Sequence, residues 1–293
     1  MILPKDSAEE QSFAALLDRH DFSEWIEGIC WAIGHCYRRS SWQGMHKILS
    51  CLHTLHLAVI DEPRRSLLDS CVAHCLLQVA EAELDHLSFT DCFSLCQLAN
   101  QRLERKATRR MQFGLPYRPD TLRKVTLYTC LAKAKWLGPE SLRDELMPPR
   151  EIIIRYYDAE RRVRDYLTAY PDKQHEQDTL ETLAWCWLAV TKLAMRYLPE
   201  QVDDLLDYCE ASHDNVAQKS SHPFHWDLHI ARLYHRKKLT RADYERASAR
   251  RRVTLRRLKG ATYELQAYDD YAAREMGYML RMQRLELQVV GES

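Results

Sequence analysis

Apolar residues recur along the chain at three- and four-residue spacing, the period of one face of an α-helix. Between residues 42 and 59 the stripe is Met45, Ile48, Leu49, Leu52, Leu55, His56 and Val59. Residues 62–84 open with Pro63 in the first turn, where a missing N–H costs nothing, and line up Leu68, Cys71, Cys75 and Val79. Residues 90–106 line up Cys92, Cys96, Ala99 and Leu103. A helix over 121–137 stops at Gly138-Pro139, and Pro148-Pro149 makes the next break. The spacing predicts a helix over 151–170, with Ile153, Tyr156, Val163, Leu167 and Tyr170 on one side. Residues 183–190 are apolar all round, which predicts a central buried helix. Pro199 and Pro223 each open a further helix, and Thr240 with Asp243 resembles a capping box with Asp in place of Glu. The last helix spans roughly 264–290.

Helix starts therefore fall near residues 7, 23, 41, 62, 90, 120, 150, 175, 200, 222, 240 and 264. About twelve helices at this spacing form antiparallel pairs of roughly 40–50 residues. The spacing resembles that of HEAT or tetratricopeptide arrays, which implies an all-α, solenoid-like fold. No residue pattern repeats from pair to pair, and Trp136–Gly138 closes a helix rather than opening a repeat. A compact multi-helix bundle satisfies the same spacing. Residues 111–120 hold one Gly and two Pro and read as a linker. That divides the chain into a Cys/His-rich half, 1–110, and a second half, 121–293, unless the whole is one continuous domain.

Composition agrees with helices. Only 8 glycines occur in 293 residues, few for a chain built on hairpin turns. The longest uninterrupted apolar run, Leu183 to Val190, is far below the ~20 residues that span a bilayer. The start of the chain has no apolar leader core, and ten cysteines in a chain of this length read as free thiols in a reducing cytoplasm.

Phosphate loops need clustered glycines, and the closest pair here, Gly28 and Gly34, falls within a helical pattern. No Gly-x-Ser-x-Gly elbow, His-Glu-x-x-His pair or kinase set is present, so a non-enzymatic chain without a cofactor is expected. The metal candidates are Cys71, His74 and Cys75, which share one helix at i, i+3 and i+4. Cys71 and Cys75 also fall on the core stripe, where cysteine acts as a small hydrophobe. Two Glu-x-x-His pairs, Glu83/His86 and Glu210/His213, with Glu181 nearby, echo di-iron ligand sets at a frequency that chance also produces.

Charge adds one surface feature. The chain is neutral overall, yet residues 232–259 hold twelve Lys or Arg against Asp243 and Glu245. His225, His229, Arg232 and Arg236 recur along one helix, and Arg246, Arg250 and Arg257 along the next, with Arg252, Arg256 and Lys259 beside them. If the two helices are antiparallel neighbours, the patch can hold several phosphates or carboxylates. Three uses compete: pairing with the acidic helix of residues 200–214, an acidic protein or peptide partner, and nucleic acid. The expected function is that of a cytoplasmic adaptor-like regulator, with a nucleic-acid-associated regulator as the alternative and a helical metalloprotein third.

Overall fold

A computed structural model describes residues 28–30, 32–36, 42–58, 62–112, 121–139, 142, 147–169, 173–214, 223–259 and 266–291. The described residues are helical with no strand. The helices are α1 (Trp42–Ala58), α2 (Glu62–Asp85), α3 (Phe89–Gln112), α4 (Thr121–Leu137), α5 (Pro149–Ala169), α6 (Lys173–Tyr197), α7 (Val202–Asp214), α8 (Pro223–His235), α9 (Arg241–Lys259) and α10 (Gln266–Gly291). A 3-10 turn, Pro199–Gln201, leads into α7. From α1 onward every helix begins within about two residues of the position its apolar period predicts. The expected starts near residues 7 and 23, and most of the expected linker at 113–120, lie outside the described residues.

Two helix ends share one local design. Leu87 and Lys237 take left-handed backbone, with φ of 62° and 59°. The next residue reaches back in each case: Ser88 N–H donates to Glu83 O at 2.8 Å, and Lys238 N–H to Leu233 O at 2.8 Å. This is the Schellman closure, made here without the usual glycine. A Ser/Thr-x-x-Asp cap follows each closure. Thr240 N–H donates to Asp243 Oδ2 at 3.3 Å and Asp243 N–H returns to Thr240 Oγ1 at 3.2 Å, the reciprocal pair the sequence suggested. At the first closure the Ser88 hydroxyl donates to the Asp91 carboxylate. The end of α4 differs. A Cβ on Gly138 would lie 2.3 Å from Ala134 O, so only glycine fits there.

The chain divides into two compact units. The first comprises residues 1–79 and 97–120, so it takes most of α2 and the later part of α3. Its described core holds Met45, Leu52, Leu68, Cys71, Cys75, Val79, Ala99 and Leu103, which are the stripe positions of three helices. Fully buried Asp69 on α2 receives Arg102 of α3 at 3.3 Å.

The second unit comprises residues 80–96 and 121–293. Packed helix pairs build it. Helix α4 lies against α5 and α6, α6 against α7 and α8, α8 against α9, and α10 against α9 and α4. Along residues 183–195 of α6 every side chain except Trp185 is buried, as expected for a central helix. Trp187 is the hub of this region, edge-on to Tyr156 and Tyr157 of α5 and to Tyr208 of α7. Trp136 of α4 meets Tyr234 of α8 and Tyr278 of α10, also edge-on, which ties three helices at one point.

Candidate functional site

The basic region lies wholly in the second unit. Helices α8 and α9 are neighbours joined by a five-residue turn, so they run antiparallel, and α7 flanks α8 on one side. This geometry divides the cationic row of α8. Arg232 turns to α7 and binds Glu210 at 2.6 Å and Asp207 at 3.2 Å. His235 approaches Asp203 at 3.3 Å. His225, His229 and Arg236 remain exposed. On α9, Arg246 and Arg250 are exposed and Arg252 pairs with Asp269 of α10 at 3.0 Å. The side chains of Arg256 and Arg257 lie outside the described residues.

What the fold brings together is a seam of His225, Trp226, His229, Arg246 and Arg250. The Arg250 guanidinium stands 4.7 Å above the Trp226 ring, and His225 meets the same ring edge-on. Asp243 lies at the other end of the seam. Its hydrogen bond from Thr240 holds its carboxyl below the usual carboxylate range, and the charges of Arg246 and His229 act in the same direction. Beneath the seam, Arg251 binds Asp227 at 2.8 Å and covers Trp185. Tyr234 and Tyr244 are buried at 4% and 6% exposure, which removes them as stacking platforms for single-stranded nucleic acid.

A second feature adjoins the α8–α9 turn, and the sequence reading missed it. The Gln283 amide of α10 clamps Leu239, accepting from its N–H and donating to its carbonyl, both at 3.0 Å. Lys237 pairs with Glu286. The clamp leaves a cleft of about 500 Å³ lined by Arg241, Leu280, Gln283, Arg284, Leu287 and Gln288. A signal was present, since Leu280, Arg284 and Leu287 recur at i, i+4 and i+7. It mixes charge with apolar groups, so it reads as an ordinary surface helix.

Among the described residues, no group of three or more His, Cys, Asp or Glu stands close enough to hold a metal ion. Cys71 and Cys75 are fully buried in the first unit, and His74 is only half-buried. The Cys30 and Cys71 sulfurs are 3.7 Å apart. Glu83 is buried while His86 is exposed, so that pair is split between core and solvent. Burial, followed by the Asp91 charge, pushes the Glu83 carboxyl up. Glu210 is held by Arg232, and the side chains of Glu181 and His213 lie outside the described residues. In the second unit Cys92, Cys96 and Cys130 share thiol hydrogen bonds. Those from Cys130 and Cys96 lower Cys92, while burial pushes Cys96 up. No helix of the described residues is long and apolar enough to cross a membrane.

No protein family, curated protein or solved structure matches the chain.

Proposed function

We propose that this chain is a non-enzymatic, cytoplasmic, adaptor-like protein that binds an acidic protein or peptide partner through the surface of α8, α9 and α10. The observation that carries this reading is the seam of His225, Trp226, His229, Arg246 and Arg250. Arginine and tryptophan are the side chains most enriched where binding energy concentrates in protein interfaces. Here exposed Arg250 stands over half-buried Trp226 on the α8–α9 hairpin. Stacked helix pairs suit such a role, because a tetratricopeptide-like body offers extended faces without needing a catalytic pocket.

Charge reversal tests the reading. Arg246→Glu with Arg250→Glu is expected to abolish co-purification of a partner with the full chain, while the melting temperature stays within a few degrees. Retention of the same partner by the reversed chain rejects it.

Nucleic acid is the second reading, favoured by the same cationic groups. It predicts affinity for a DNA or RNA oligonucleotide that falls steeply with salt. Absence of binding at low salt ends it.

A further inference from the structure

We infer that the cleft between the start of α9 and the C-terminal part of α10 is a docking site for an acidic peptide segment, one that combines carboxylates with a single bulky apolar side chain. The inference rests on the reading above and adds, on the same α8–α10 surface, one place beside the seam with one ligand chemistry.

Three observations carry it. First, the walls are fixed before any ligand arrives. The two hydrogen bonds from Gln283 to the Leu239 backbone, with the Lys237–Glu286 pair, hold the α8–α9 turn against α10. A pre-formed site loses less on binding than one that must order itself. Second, the lining is sorted by chemistry. Leu280 and Leu287 supply an apolar floor, and Leu287 is 50% exposed, a large apolar side chain left in water. Gln283 and Gln288 offer amides, and Arg241 and Arg284 supply two guanidinium forks. A cleft of about 500 Å³ is within the range of ligand sites.

Third, the charge is one-sided. Arg284 is exposed and makes no ion pair among the described residues. Arg281, one position from Leu280 on the same helix, and Lys238 on the turn are exposed too. The acids nearby are engaged, Glu245 by Arg241 at 2.7 Å and Glu286 by Lys237. Arg241 is the one lining cation that already holds an acid, and that pair is largely solvent-exposed, so an incoming carboxylate exchanges for it at little cost. Guanidinium forks favour carboxylates bidentately, and the leucines that share the lining favour an apolar group.

The test is selection of peptides from a random dodecamer display library on the full-length chain, followed by affinity measurement by fluorescence anisotropy on single variants. The expected peptides are acidic with one Leu, Ile, Phe or Trp. Arg284→Glu and Leu287→Asp, both at exposed positions, are each expected to weaken them at least tenfold, while Arg161→Glu on the exposed face of α5 changes affinity less than threefold. Two results overturn the cleft alone: peptides that bind Arg284→Glu and Leu287→Asp as tightly as the parent chain, or peptides displaced equally well by a single-stranded oligonucleotide of the same charge. If the same peptides are lost on Arg246→Glu, the wider acidic-partner reading survives without the cleft. Recovery of basic peptides, or of none, overturns both.

Discussion

Lys192 and Glu275 stand 83 residues apart in sequence, yet inside the second unit the ammonium nitrogen lies 2.7 Å from the carboxylate Oε1. Tyr244 donates to the other oxygen of Glu275, Oε2, also at 2.7 Å. Three helices, α6, α9 and α10, thus meet on one buried carboxylate.

Removing Lys192 takes the ion-pair partner from a buried carboxylate. Lys192→Met is expected to destabilise the second unit by about 3–5 kcal/mol, with much of that recovered when Glu275→Leu is added. Denaturant melts of the two variants check it. Equal stability of the single variant and the parent chain counts against the pair.

Acid titrates the same group. Burial alone would raise the Glu275 carboxyl, but Lys192, the Tyr244 hydroxyl and Arg251 outweigh it and hold it below its ordinary 4.5. A carboxyl lowered by folding contributes stability above its unfolded value, and that contribution is lost as pH falls through the folded one. Thermal melts between neutral and about pH 3 are expected to show a steep acid-side loss, and Glu275→Gln to flatten part of it. An unchanged slope in the variant contradicts the assignment.

The left-handed backbone at Lys237 stores strain that a side chain with Cβ feels at about 1–2 kcal/mol. Lys237→Gly relieves it and forfeits a half-exposed ion pair with Glu286 worth less than about 1 kcal/mol, so a small net gain is expected. Lys237→Val keeps the strain, adds a β-branch and loses the pair, so it is expected to melt lower than the parent. The reverse order rejects the account of this turn.

The caps and core stripes were legible in the sequence because they are local. Thr240 and Asp243 are three residues apart, and their reciprocal hydrogen bonds need no distant partner. Thr240→Ala is accordingly expected to cost about 1 kcal/mol, read from denaturant unfolding, and Thr240→Ser almost nothing. Likewise Leu68, Cys71, Cys75 and Val79 fall on one stripe whatever packs against it. The fate of each cation was not legible. Arg232 and His229 are close neighbours on one helix, yet α7 engages Arg232 while His229 faces α9. The Gln283 clamp joins residues 44 positions apart and creates the cleft, which no local spacing announces.

Cysteine burial sorts the thiols. Cys51 is exposed, Cys30 and Cys36 are half-buried, and Cys71, Cys75, Cys92, Cys96, Cys130, Cys186 and Cys209 are buried. Brief alkylation of the native chain is expected to label Cys51 first and the buried seven only on unfolding. Mild oxidation is expected to link Cys30 to Cys71, whose sulfurs are already 3.7 Å apart. Mass spectrometry of the digested chain reads both, and early labelling of Cys130 or Cys186 contradicts the packing of the second unit.

The most direct measurement of partner binding is photo-cross-linking in cells, with a photoreactive residue at exposed Ala249 beside Arg250, at exposed Leu285 beside Arg284 or, as a control on the exposed face of α5, in place of Arg161. The proposed function predicts one discrete protein adduct from position 249 or 285, mapped to an acidic segment of the partner, and none from position 161. Adducts to nucleic acid, or protein adducts from position 161 alone, contradict an acidic-partner surface on α8, α9 and α10.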